Sequence, residues 1–174
     1  NQSSYTFFPK KGPFNQFMIS LENFAVLNLD GSQNERNHDL EFRFFLKNTS
    51  NLVLHLHKNV NNLLYNTSFT EGKPIPPAKY IANSYGLTYN TDSRKKFFFE
   101  TNIEAGQFFN GNFFRYEFSA NFRIQPWANF TMSMQQANLS FPGVYGKNNL
   151  FLIAPRIEIN FSNNLFWTTF LQYN

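Results

Sequence analysis

The chain has 174 residues, 42% of them hydrophobic and 20% aromatic, with 24 Phe against 8 Tyr and 2 Trp. Its mean hydropathy is −0.42, and no apolar run approaches the roughly 20 residues of a membrane-spanning helix, which excludes a helical membrane protein. The net charge of +4 is too small and too dispersed for a nucleic-acid partner, and the absence of cysteine is compatible with many compartments, an outer membrane among them.

No signal peptide opens the sequence, which reads as a mature or partial product. After a lead-in of residues 1–16, apolar and polar residues alternate with a period of two in one segment after another. A strand sends successive side chains to opposite faces, so each segment carries an apolar wall and a polar one. The first predicted strand, residues 17–29, sets Phe17, Ile19, Leu21, Ala25, Leu27 and Leu29 against Met18, Ser20, Glu22 and Asn28, with Phe24 and Val26 as apolar exceptions. Residues 38–46 set Leu40, Phe42, Phe44 and Leu46 against Asp39, Glu41 and Arg43. Residues 52–61 oppose Leu52, Leu54 and Leu56 to His55, His57 and Asn59. In residues 79–90, Tyr85, Leu87 and Tyr89 face away from Ser84, Gly86 and Thr88. Residues 97–105 oppose Phe97, Phe99 and Ile103 to Glu100, Asn102 and Glu104.

Residues 113–123 carry the clearest pattern, with Phe114, Tyr116, Phe118, Ala120 and Phe122 on one side and Phe113, Arg115, Glu117, Ser119, Asn121 and Arg123 on the other. The pattern weakens in residues 130–139 and returns in residues 150–161, where Phe151, Ile153, Ile157, Ile159 and Phe161 oppose Arg156, Glu158 and Asn160. A ninth strand begins at Leu165 and runs to the last residue. Segments 47–51, 91–96, 125–129 and 162–164 are short and rich in turn formers, whereas 30–37, 62–78, 106–112 and 140–149 are mostly longer; outer-membrane barrels sort their loops in this way.

These patterns predict an all-β protein: an antiparallel transmembrane β-barrel, or an incomplete wall of one, of about nine strands over residues 17–174. Nine is odd, single-chain bacterial barrels close with an even number, and an open edge in lipid leaves backbone groups unpaired. The barrel is therefore expected to continue beyond residue 174 or to be completed by another chain.

Tyr85-Gly86-Leu87-Thr88-Tyr89-Asn90-Thr91-Asp92-Ser93-Arg94-Lys95-Lys96-Phe97 resembles the strand-turn-strand signature of an outer-membrane β-barrel family of Bacteroidota, a domain of unknown function found downstream of a family-nine-like carbohydrate-binding module. Leu165-Phe166-Trp167-Thr168-Thr169-Phe170-Leu171-Gln172-Tyr173-Asn174 is similar to a further strand of that family, and Leu40-Glu41-Phe42-Arg43 and Asn51-Leu52-Val53-Leu54 also look similar. The resemblance implies the barrel and the outer membrane, and carries over no catalytic residue.

Glu41, Arg43, Glu100, Glu104, Arg115, Glu117, Arg156 and Glu158 are the expected lumen-lining residues. They would either set a transverse field for polar solutes or form a ladder of cross-strand pairs, each contributing about 0.2–1 kcal/mol. Glu100 and Glu104, four residues apart on one face, are separated by about 13 Å, too far for a glycosidase acid–base pair. His55 and His57 could chelate a metal with His38 or Asp39 as a third ligand, but no fourth ligand is fixed and no metal is expected. A hydrolytic triad would need a serine beside one of these histidines, and no motif singles one out. Phe108 and Phe109, beside Asn110-Gly111-Asn112, are candidate glycan-contacting loop residues, with a membrane-interface girdle as the competing reading. The basic turn 91–96 suits anionic headgroups or a periplasmic partner, with a solvated turn of snorkelling Lys and Arg beside the membrane as the simpler reading.

The function expected from sequence is thus non-enzymatic: an outer-membrane pore or an accessory subunit of an envelope complex. It would have no cofactor, with lipid, other envelope proteins and glycan as partners. The alternatives are a soluble carbohydrate-binding β-sandwich and an outer-membrane hydrolase.

Overall fold

The computed structural model describes residues 1–174, and they form one antiparallel sheet of ten strands hydrogen-bonded in sequence order. The strands are β1 (Gln2–Phe7), β2 (Phe14–Leu27), β3 (Gln33–Leu46), β4 (Asn51–Leu63), β5 (Ala78–Asn90), β6 (Phe97–Phe108), β7 (Gly111–Ile124), β8 (Ala128–Ser140), β9 (Lys147–Ser162) and β10 (Leu165–Phe170). The other regular element is a 3-10 turn, Gly143–Tyr145, and no helix is long and apolar enough to cross a membrane. β1 and β10 have one partner each, so the sheet is open rather than closed on itself. There is no second sheet of the kind a β-sandwich requires.

All nine predicted strands are present, and a tenth, β1, lies inside the expected lead-in, where Gln2 to Phe7 pair with Glu22 to Phe17. The expected loop over residues 106–112 is corrected to a two-residue turn, 109–110. Gly106 does not end β6, because β5 comes so close that a Cβ there would collide with the Asn83 carbonyl oxygen and Ser84. Loop lengths consequently sort less cleanly than expected. Residues 8–13, 47–50, 91–96, 125–127 and 163–164 turn at one end, and 28–32, 64–77, 109–110 and 141–146 at the other.

The register carries the two-faced pattern across the whole sheet. One hydrogen-bonded row runs Ser4, Ser20, Glu41, His55, Gly86, Glu104, Arg115, Ala137, and the row beside it on the opposite face runs Tyr5, Ile19, Phe42, Leu54, Leu87, Ile103, Tyr116. Aromatic rings meet on the apolar face, as in Phe17–Phe44 (5.6 Å) and Tyr89–Phe99 (5.8 Å), the kind of cross-strand contact that fixes register. The row through Phe7, Phe17, Phe44, Leu52, Tyr89, Thr101, Phe118, Met134 and Ile153 starts at the last residue of β1 and ends nine residues short of Ser162, the last of β9. That drift is about one residue (~3.3 Å) per ~4.8 Å strand spacing, a strand tilt of about 35–40°.

Burial is inverted relative to a water-soluble sheet. Twelve residues are buried, and Ser20, Val53, Ala82, Ser84, Phe98 and Ala154 among them lie on the polar face. The apolar face stands open, with Tyr5 70%, Ile19 45% and Phe122 44% exposed.

Candidate functional site

All eight charged residues singled out in the sequence fall on the polar face. Glu41, Glu104 and Arg115 share one row, and Glu100, Glu117, Arg156 and Glu158 lie opposite Ser119, Asn102, Thr131 and Asn129. Their pairing differs from the expected cross-strand ladder. Arg43 binds Glu41 and Arg156 binds Glu158, each two residues along the same strand, and Arg115 Nη1–Glu104 Oε2 (3.7 Å) is the one pair of the three that crosses strands. Residues i and i+2 share a face. The cross-strand positions opposite Arg43 and Arg156 are held by Met18, Val53, Thr131 and Phe170, none of which competes for the guanidinium. Asn129 Nδ2 also donates to Glu158 (2.9 Å) and Ser84 Oγ to Glu104 (3.4 Å). Six of the eight charges thus neutralise each other in three local pairs, whereas Glu100 and Glu117 have no ionic partner.

The histidines form two parallel imidazole–carboxylate pairs, His57 Nδ1 to Asp39 and His55 Nδ1 to Glu41 (3.3 Å). The rings stack with centroids 5.6 Å apart and planes 10° apart. Opposite His55 is Gly86, where a Cβ would come within 3.2 Å of the His55 Cβ, so glycine leaves space for the imidazole. His38, proposed as a third ligand, faces the other way and contacts Asn23. Each imidazole is committed to its own carboxylate, and no three His, Cys, Asp or Glu converge on a metal position. Ser84 does lie directly across from His57, which lies across from Asp39. Its hydroxyl donates to Glu104 instead of to the imidazole, leaving the serine of a triad unengaged.

At the long-loop end, residues 64–77 fold back over the polar face. Thr67 and Ile75 pair by a short bridge, and Ile75 is 1% exposed beneath the loop. The loop is fastened to residues 141–146 by Lys73 N–Val144 O (3.0 Å) and by Thr70 Oγ1 to the Tyr145 carbonyl. Phe69 enters a cluster of six rings with Tyr80, Phe108, Phe109, Phe113 and Phe141. Phe108 and Phe109 are therefore half-buried among other rings rather than displayed at a loop tip. Below them lies a cleft of about 350 Å³, with Glu104, Arg115, Asn59 and Asn61 in its walls. The two phenylalanines line this cleft together with Glu104 and Arg115 of the charged row.

The opposite end holds a feature that sequence reading passed over. Asp92, in the turn 91–96, accepts hydrogen bonds from Thr49 Oγ1 (2.9 Å), Arg94 N (3.0 Å), Arg94 Nε (2.8 Å) and Arg94 Nη2 (3.0 Å). The Arg94 guanidinium holds its carboxyl far below the usual carboxylate range. An Asp two residues before an Arg within a turn is the sequence signal that could have exposed this knot. No protein-family model, curated protein or solved structure matches the chain.

Proposed function

We propose that the chain is part of the wall of an antiparallel β-barrel in a bacterial outer membrane, without enzymatic activity, acting as a pore or as an accessory subunit of an envelope assembly. The observation that carries this reading is the inverted burial: an apolar face open to its surroundings, while the residues buried in the sheet lie mostly on the polar face, Ser20, Val53, Ala82, Ser84, Phe98 and Ala154. Apolar area of this extent exposed to water marks a membrane or partner contact. On β7 the apolar positions run from Phe114 to Ile124, about 33 Å along the strand and about 25 Å along the normal at the tilt above, the height of an outer-membrane apolar band. At the long-loop end the band gives way to the row Asn23, His38, Lys58, Asn83. At the short-turn end it finishes in Phe7, Phe17, Phe44, Tyr89 and Trp127, aromatic residues that would form an interfacial girdle. The resemblance of residues 85–97 and 165–174 to a Bacteroidota barrel family supports the same setting. The polar rows and the loop-covered cleft then face the interior and would select the solutes or glycans that reach it.

The chain has no cysteine, so single replacements report one site each. In native membranes, Phe44→Cys and Phe99→Cys should react with a lipid-soluble pyrene maleimide, and Glu41→Cys and Ser119→Cys with a membrane-impermeant sulfonated one. Equal reaction of all four with the impermeant reagent would sink the proposal.

A further inference from the structure

At the short-turn end four cationic side chains from two segments distant in sequence meet around one hollow. Arg94, Lys95 and Lys96 come from the turn after β5, Arg123 comes from the end of β7, and together with Gln125 they line a pocket of about 220 Å³. We propose that this pocket binds a phosphate group, as the headgroup phosphodiester of an anionic phospholipid or as a free phosphate.

Concentrating like charges is unfavourable unless a counter-charge is supplied, and the wall of the pocket holds no carboxylate. Asp92, beside it in the same turn, is already bound to Arg94 through two of the guanidinium nitrogens. Counting that pair as neutral leaves Lys95, Lys96 and Arg123 uncompensated. The two arginines are also held in place before any ligand arrives. Arg94 is fixed by the Asp92 fork, and the Arg123 guanidinium carbon lies 4.4 Å from the centroid of the buried Phe98 ring. The backbone joins the two segments, Arg123 N donating to Lys96 O at 2.7 Å. Preorganised guanidinium groups lose little freedom on binding and match the geometry of phosphate oxygens. In the barrel reading Arg123 and Phe98 lie on the interior face at the mouth of the barrel, so a lipid headgroup would enter the hollow over the turn 91–96; the free-phosphate source does not depend on that reading.

The test is calorimetric titration of the full chain in dodecyl maltoside. The probes are inorganic phosphate, dihexanoyl-phosphatidylglycerol and dihexanoyl-phosphatidylcholine, the lipids below their micellar concentrations. Phosphate and the anionic lipid should bind, each losing about tenfold in affinity in Lys96→Gln and in Arg123→Gln. Arg123→Lys should recover part of the loss, and Lys147→Gln at the other end of the sheet should change nothing. Lys96 is exposed, so its variant carries the test even if loss of the Arg123–Phe98 contact disturbs folding. Binding of phosphatidylglycerol but not phosphatidylcholine, with phosphate competing, identifies the lipid headgroup; binding of phosphate alone identifies the free anion. Absence of binding by both anions, or equal affinity in wild type and both glutamine variants, overturns the proposal. Neither result touches the labelling pattern of Phe44→Cys and Phe99→Cys, so the two readings fail separately.

Discussion

The Asp92 carboxylate takes four hydrogen bonds at the short-turn end, and through Thr49 it ties the turn between β3 and β4 to the turn between β5 and β6. Its folded-state affinity for protons is depressed by the Arg94 guanidinium. A carboxyl depressed in the folded state contributes stability that is present above its unfolded value, about pH 3.9, and is lost as pH falls through the lower folded one. Asp92→Asn keeps the shape and removes the charge. At pH 7 it should lower the thermal midpoint of the β-sheet circular dichroism in detergent by about 2–4 °C. The deficit should stay constant down to about pH 4 and shrink only below it. A variant that melts with wild type at pH 7 would mean that the knot holds nothing. The same scale shows what parity can reveal. Asp39 and His57 were legible as face-mates because each alternates with leucine, and that alternation already places His38 on the far side. The stacking of His55 on His57 over Gly86 depends on a neighbouring strand, and nothing within β4 encodes it.

Strands were more legible than their connections, for a physical reason. An alternating segment such as Phe114 to Phe122 states its own conformation, whereas a turn is decided by what approaches it. Gly106 reads as a breaker, yet it is the residue that lets β5 and β6 come together. The chain reverses at Phe109 and Asn110, with Phe109 at φ 51°, a conformation phenylalanine seldom adopts. β1 was missed because six residues with Gln, Ser and Thr on one face carry too little contrast until Phe17 to Glu22 are seen beside them. The fold-back of residues 64–77 lay furthest from view, since its fastening to residues 141–146 joins segments far apart in sequence. Gly72 makes that fastening possible: a Cβ there would lie 2.5 Å from the Tyr145 carbonyl carbon and oxygen, backbone atoms that have no room to yield. Gly72→Ala should therefore break the contacts of Lys73 and Thr70 and free the loop while leaving the sheet intact. Losing about 1–1.5 kcal/mol of local hydrogen bonding would open the segment about tenfold more often. Cleavage within residues 64–77 by proteinase K should accelerate by that factor, and an unchanged rate would show that the cover is not held by this contact.

At the level of the whole sheet the question is closure. Ten tilted strands end in two short edges, β1 and β10, whose unpaired backbone groups would each cost several kcal/mol in lipid. The number is even, so joining β1 to β10 is one solution. The composition of β10 argues against it. Its polar-face positions are Phe166, Thr168 and Phe170, opposite Asn160, Glu158 and Arg156, and the two phenylalanines stand 71% and 58% exposed. The polar-face positions of β1 are Gln2, Ser4 and Thr6, which offer these rings no apolar cover. Strands from outside these ten, supplying apolar neighbours to Phe166 and Phe170, would satisfy both the backbone edge and the exposed rings. Two measurements distinguish the solutions. Detergent-extracted native protein should show an intact mass well above 20.5 kDa, or a stable complex with a second chain if the mass matches 174 residues. A Ser4→Cys, Phe166→Cys pair, both on the polar face of the edge strands, should resist disulfide formation under mild oxidation in native membranes. Rapid formation of that bond within a 20.5 kDa monomer would instead place the two edges side by side. The ten strands would then form the entire barrel, with Phe166 and Phe170 packed in its interior.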